Sequence, residues 1–295
     1  MINLKRNYIN AALARSLIRS QFPEWKGLNV REVEGCGWDN KTFHLGEYMS
    51  IRLPSSEEYS SQVGKEHFWL NKLAPLLPLS APSPLALGEP DENYPWYWSV
   101  YEWIEGKTAL TGGIVDLSQF ATDLGNFLLC LQAIESKEGP GAGKHNFYRG
   151  GNLKVYELET KQAISGLSSE IDVLKAERIW NKAISSSWSK KTLWIHGDIA
   201  PGNFLAKEGR LSAVIDFGSL GIGDPACDLA IAWTFFKKES REAFYRSLPF
   251  DEATWMRGRA WALWKTLIDC NESKKENRQI KEESKEIINE ILSGE

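Results

Sequence analysis

The sequence predicts an α+β fold of two unequal lobes, on three observations. Short β-type runs punctuated by glycine crowd the first third of the chain. Helix-type periodicity dominates after residue 105. Two or three apolar strands around residues 192–217 interrupt those helices, with Pro201 and Gly202 in the loop between them.

The elements follow in order. Ile9, Leu13, Leu17 and Ile18 share one helical face, which predicts an amphipathic helix over 9–22. "NVREVEG", "NKTFHLGE" and "YMSIRLP" read as strands separated by Gly35, Gly37 and Gly46. A helix over Glu57–Leu73 puts Glu66, Trp69, Leu70 and Leu73 on one face. "PLLPLSAPSPLALGEP" is a Pro-rich loop leading into a strand, and "WYWSVYEWIEG" is an aromatic strand ending at Gly106. The change of character near residue 105 divides a β-rich lobe, 1–105, from a mostly helical lobe, 106–295. The tail "ESKKENRQIKEESKEIINEIL" reads as a charged surface helix with Ile280, Ile287, Ile288 and Ile291 as a sparse apolar stripe. There is no internal repeat.

Composition narrows the function classes. With 295 residues, 42% hydrophobic and 25% charged, the chain is globular rather than disordered. A net charge of -4 leaves no basic footprint for nucleic acid. No apolar run is long enough to span a bilayer, and the amphipathic, charged N-terminus lacks signal-peptide character. Cys36, Cys130, Cys227 and Cys270 are scattered without a CxxC pair, which fits a reducing cytoplasm. The expectation is a cytoplasmic monomer with no membrane or nucleic-acid partner.

The chemistry concentrates in "LWIHGDIAPGNFL" and "VIDFG". Asp198 and Asn203 follow one strand, and Asp216 ends another, thirteen residues beyond Asn203. Taken singly, each is an ordinary turn former or cap. Jointly, H-G-D-x4-N followed by I-D-F-G has the order and spacing of a kinase catalytic loop and metal loop. Asn203 and Asp216 supply hard oxygen donors suited to Mg²⁺. Asp198 is left to accept the proton of a hydroxyl nucleophile.

"HGDIAPGN", "VIDFG" and "GDPACDLA" together resemble the aminoglycoside phosphotransferase family, kinase-like enzymes that phosphorylate hydroxyls of small molecules. The resemblance implies a two-lobed protein-kinase-like fold, with the nucleotide held by the N-terminal lobe and the acceptor by the C-terminal lobe. It implies ATP or GTP as phosphoryl donor and Mg²⁺ as cofactor. The acceptor would be an aminoglycoside or similar antibiotic, with resistance by inactivation as the outcome. A macrolide acceptor, a metabolic small-molecule kinase and a nucleotide-binding pseudokinase are the alternatives. In the family Asp228 supports the catalytic loop. His196 reads as a loop-ordering residue rather than an acid or base, because Asp198 already occupies the base position.

The same resemblance assigns the nucleotide site. Gly35 and Gly37 lie in a strand–loop–strand that would cover the phosphates. Arg52 stands where the family carries lysine; its fork binds phosphate bidentately where lysine offers a point charge. Glu66 is its expected partner, with Lys65 pointing elsewhere. Glu102 and Ile104 would bind the purine through main-chain atoms, Trp103 packing beside them. Of the 13 tryptophans, Trp233, Trp261 and Trp264 are candidates for the acceptor-pocket wall, against the ordinary role of core. His44, His67 and His145 are read as structural or surface residues. Glu239, Glu242, Asp251, Glu252, Asp269 and Glu272 are acidic positions that could attract a polyamine, against the ordinary reading of solvated helix charges.

Overall fold

Asn10 starts the first helix by accepting the N–H groups of Ala12 and Leu13 on its side-chain oxygen, each at 3.0 Å, which satisfies donors a helix start leaves unpaired. The computed structural model describes residues 8–35, 39–276 and 278–293. Helix α1 (Ala11–Gln21) buries Leu13, Ala14, Leu17 and Ile18, the face the sequence predicts. Strands β1 (Val30–Glu32), β2 (Asn40–Leu45) and β3 (Met49–Pro54) follow, then helix α2 (Glu57–Leu73), β4 (Pro84–Gly88) and β5 (Trp98–Glu102). The five strands form one antiparallel sheet in the order β1-β2-β3-β5-β4.

Strand alternation sorts the two faces of this sheet. Phe43, Leu45, Ile51, Leu53 and Val100 pack with α1 in one buried cluster. Arg52 and Tyr101 fall on the other face, the guanidinium carbon 5.7 Å from the Tyr101 ring centroid. Gly88 permits the Trp98 indole to lie against its own cross-strand neighbour, since a Cβ there would come within 1.9 Å of the ring.

Helix α2 spans the residues predicted for it and joins the two parts of the molecule. Its Leu70 and Leu73 belong to the second, larger apolar cluster, and Trp69 meets Trp194 edge-on at 4.8 Å. The aromatic strand expected up to Gly106 is confined to β5.

The remaining elements are β6 (Lys107–Thr108), α3 (Leu117–Ala133), α4 (Glu157–Gly166), α5 (Val173–Ile184), β7 (Leu193–Ile195), β8 (Phe204–Lys207), β9 (Arg210–Val214), β10 (Gly221–Gly223), α6 (Ile231–Thr234), α7 (Lys238–Ser247), α8 (Glu252–Lys275) and α9 (Glu282–Ser293). The strands here outnumber the two or three expected, because β6 pairs with β8 and β10 pairs with β7. Asp116 caps α3 and Asp251 caps α8 through their carboxylates. The tail corrects the sequence reading. It is not one surface helix but the end of α8, a break, and then α9, whose Ile288, Ile291 and Leu292 are buried in the larger cluster. Buried Arg259 fixes that packing by donating its Nε to the Ile291 carbonyl at 2.8 Å. Among the described residues no helix is long and apolar enough to cross a membrane.

Candidate active site

Asp228 organises the loop that follows β7. It is fully buried, and its two carboxylate oxygens accept the N–H groups of His196 and Gly197, both at 2.8 Å. Burial pushes its carboxyl above the ordinary value, while the His196 imidazole and these two N–H bonds pull it down. Gly197 turns the chain at φ +83, and a Cβ there would lie 2.3 Å from the Ser219 carbonyl oxygen. No side chain fits.

His196 is also fully buried and carries the order onward. Its Nδ1 accepts the Asp198 N–H at 3.2 Å, so the ring proton sits on Nε2 and is donated to the Ile215 carbonyl at 3.0 Å. The imidazole therefore ties the residue before Asp216 to the loop bearing Asp198.

Asn203 closes a short helical turn and points back. Its Nδ2 donates to the Asp198 carbonyl at 2.8 Å and to Asp198 Oδ2 at 2.9 Å. Its Oδ1 carries no hydrogen bond among the described residues. Asp216 adopts a left-handed backbone, φ 67, at the end of β9, a conformation that Asp tolerates better than most side chains. The oxygens of Asn203 and Asp216 form a donor set of the kind a hard divalent cation takes.

Three charges meet beside Asp216. Arg52 Nη2 lies 2.6 Å from Asp216 Oδ1, and Arg52 Nη1 lies 3.1 Å from Glu66 Oε1. Burial opposes the charge on Arg52, but Glu66 and Asp216 outweigh it and hold the guanidinium protonated. Burial raises the Glu66 carboxyl against the pull of Arg52. Lys65 turns away, donating to the carbonyls of His145 at 3.2 Å and Leu220 at 3.0 Å and approaching His145 Nδ1 at 3.1 Å.

The remaining nucleotide candidates lie apart from this set. Gly35 takes φ +71 in the turn after β1, and Gly37 lies outside the described residues. The Glu102 N–H is committed to the Ser83 carbonyl at 3.0 Å and the Trp103 N–H to the Tyr48 carbonyl at 2.8 Å. The Ile104 N–H has no partner among the described residues. The Trp103 ring stands 4.0 Å from the His44 ring.

A cavity of about 150 Å³ opens on Asp198, lined by Arg149, Trp261, Trp264, Lys265 and Asp269. Lys265 Nζ stands 3.1 Å from Asp198 Oδ1. Burial pushes the Asp198 carboxyl up, but Lys265, His196 and Arg149 together bring it below the ordinary carboxylate value. Trp261 and Trp264 are thus at the cavity. Trp233 is not, packing instead against Tyr245 and Trp255. Of the six acidic positions in the C-terminal helices, only Asp269 lines it.

Sequence reasoning missed Arg149, Lys265 and Asp39. A signal existed for Lys265: Trp261, Trp264, Lys265 and Asp269 have the spacing of one helical face. None existed for Arg149, which sits in an irregular loop. Asp39 immediately precedes β2. Its carboxyl is pushed up to about 6, first by burial and then by the charges of Asp216 and Asp198.

A family model described as a phosphotransferase enzyme family (APH) matches residues 31–261. Several solved structures share the fold. The GDP and kanamycin complex of an APH(2'') enzyme superposes with a TM-score of 0.73 at 18% identity, covering 96% of this chain and 99% of that one. A thermostable mutant of aminoglycoside phosphotransferase APH(4)-Ia, in a ternary complex with ADP and hygromycin B, gives 0.63 at 16% identity, covering 94% and 98%. The macrolide 2'-phosphotransferase MphH from Brachybacterium faecium gives 0.59 at 17% identity, covering 96% and 98%. A search of the curated proteins finds no match. At these identities the superpositions establish a fold, the two-lobed kinase-like one.

Proposed function

The chain belongs to the phosphotransferase enzyme family matched over residues 31–261, and on that premise we propose that it transfers the γ-phosphoryl group of ATP or GTP to a hydroxyl of a small molecule. The observation that carries this reading is Asp198 itself: a carboxylate held ionised by neighbouring cations, oriented by Asn203, facing a cavity of small-molecule size.

Each residue then has a task. Asp198 accepts the proton of the attacking hydroxyl. Asp228 and His196 fix the loop that aims it. Arg52, steadied by Glu66, grips the phosphates, and the Gly35 turn covers them. Asn203 and Asp216 hold Mg²⁺, which when bound neutralises charge on the phosphate oxygens. The Glu102 carbonyl and the Ile104 N–H are the main-chain groups offered to the purine. The lobe of residues 1–105 serves the nucleotide and that of 106–295 the acceptor. The scattered cysteines support a cytoplasmic setting, and we take the working unit to be a monomer.

An antibiotic acceptor draws its support from enzymes of like fold, solved with kanamycin and with hygromycin B or named for a macrolide. A susceptibility panel in a sensitive bacterium expressing the chain tests it, with aminoglycosides and macrolides side by side. The transfer reading is tested by following nucleoside diphosphate release with Asp198→Asn. Turnover should fall about 100- to 10,000-fold with nucleotide affinity unchanged. Turnover within tenfold of wild type rejects Asp198 as the base.

A further inference from the structure

Arg149 and Lys265 place two positive charges on the wall of the cavity that Asp198 faces. Lys265 is matched by Asp198, 3.1 Å away. Arg149 has no carboxylate partner among the described residues. Its guanidinium carbon lies 5.1 Å from the Trp261 ring centroid and 4.7 Å from that of Trp264, and its Nε is buried without a hydrogen bond.

The loop bearing Arg149 is built, not slack. Phe147 (φ 52) and Tyr148 (φ 59) are both left-handed, which bulky residues rarely adopt. Fully buried Asn146 enforces this, accepting the Gly143 N–H at 2.9 Å and donating to the Arg149 carbonyl at 3.1 Å. The Gly150 carbonyl accepts the Asp224 N–H at 2.8 Å, tying the loop to the segment that carries Asp228. Backbone strain of this kind persists only where the surroundings impose it, and it gathers at functional positions.

The charge balance of the cavity follows. Its carboxylates are Asp198, neutralised by Lys265, and Asp269. Burial pushes the Asp269 carboxyl above its ordinary value, against Lys265 and Lys281. Two cations thus face two carboxylates, and Arg149 is the cation with no carboxylate at ion-pair distance among the described residues. An ammonium group placed beside Arg149 would meet like charge in a partly desolvated space, where like charges repel strongly, whereas an anionic group there would be paired.

We propose that the acceptor carries an anionic group, a carboxylate or a phosphate, beside the hydroxyl that is phosphorylated. Arg149 clamps that group, and the body of the acceptor lies against Trp264. The inference rests on the phosphotransferase reading above. In the step itself the acceptor oxygen bonds to the γ-phosphorus, the bond from that phosphorus to the β,γ-bridging oxygen breaks, and the nucleoside diphosphate leaves. The hydroxyl proton goes to Asp198. Arg149 takes no part in these bonds and acts through binding.

The test is phosphoryl transfer by the full chain from radiolabelled ATP or GTP with Mg²⁺. The acceptors are hydroxy acids and sugar phosphates, each matched by its neutral amide or alcohol, with kanamycin as the polycation. Transfer should favour the anionic members, and the carboxylate and phosphate arms identify which group is read. Arg149→Gln should raise the KM of the best acid roughly 10- to 100-fold, the range for a hydrogen-bonded charge, with the nucleotide KM unchanged. Arg149→Lys should recover part of the loss, and it keeps the measurement available if Arg149→Gln fails to fold. Kanamycin or a neutral member used as efficiently as the best acid overturns the proposal while leaving the phosphotransferase reading standing. An unchanged acceptor KM in Arg149→Gln does the same. Absence of Asp198-dependent transfer to every member, kanamycin included, rejects the phosphotransferase reading and this inference with it.

Discussion

The Arg52 guanidinium stands 2.6 Å from the Asp216 carboxylate, joining a strand of the β-lobe to the end of β9. The oxygen proposed for Mg²⁺ is therefore already engaged by a cation. On the proposed reading, Arg52 would pass to phosphate and Asp216 would hold the metal when the nucleotide binds. Arg52→Ala should raise the nucleotide KM by about 10-fold or more, the scale of a lost charge-assisted bond. It should also tighten Mg²⁺ binding measured without nucleotide, because the competing cation is gone. Weaker Mg²⁺ binding in that variant would show that the pair supports the metal site instead of competing with it.

Buried Glu66 holds the other arm of the same half-buried guanidinium at 3.1 Å. Arg52→Ala and Glu66→Ala should therefore be non-additive in nucleotide KM, with a coupling of about 0.5–3 kcal/mol in a double-mutant cycle. Arg52→Lys should give partial activity, since a lysine offers one point donor to two carboxylates on different sides. Additive losses would reject the pair as a functional unit.

These residues show what the sequence could and could not convey. Glu66 was legible because its spacing in α2 puts it on the face of Leu70 and Leu73, which is the buried one. The Asp198, Asn203 and Asp216 grammar was legible because turn chemistry is local. That Arg52 would also reach Asp216, 164 residues along the chain, was not, because a side chain's second partner depends on lobe packing rather than on local pattern. The tail failed for a related reason: Ile288 and Ile291 look sparse on a charged segment, and only the groove along α8 makes them core. Arg149 was invisible, since the left-handed Phe147 and Tyr148 that position it are imposed from outside and violate local preference.

Asp39 gives a pH-dependent signature. Its carboxyl is raised from 3.8 to about 6 by burial first, then by Asp216 and Asp198. A folded-state value above the unfolded one means the native state binds more protons between these pH values, so stability falls as pH rises through about 4–6 and then levels. The whole effect is at most about 3 kcal/mol. Asp39→Asn removes the titration, so its melting temperature should exceed that of wild type more at pH 7.5 than at pH 4. Nucleotide-free protein is the sample, read by thermal melts across that range. An equal offset at both pH values would reject burial of a charged Asp39 as the cause.

Asp228 separates support from chemistry. Its two oxygens accept the N–H groups of His196 and Gly197, each at 2.8 Å, in a fully buried position. Asp228→Ala leaves both donors without a partner, at a cost of about 1–3 kcal/mol each, and frees the loop that aims Asp198. Asp228→Asn is the finer probe. Its carbonyl oxygen still accepts one N–H, but its amide nitrogen then faces the other, donor against donor. Both variants should lower kcat, the alanine variant more, while the nucleotide KM stays near wild type, because Glu66 on α2 still holds Arg52 when the clamp is loosened. Melting temperature should fall in the same order as kcat. If Asp228→Asn melted like wild type yet lost turnover, the carboxylate charge itself would be acting on the reaction, and a purely positional role would be wrong.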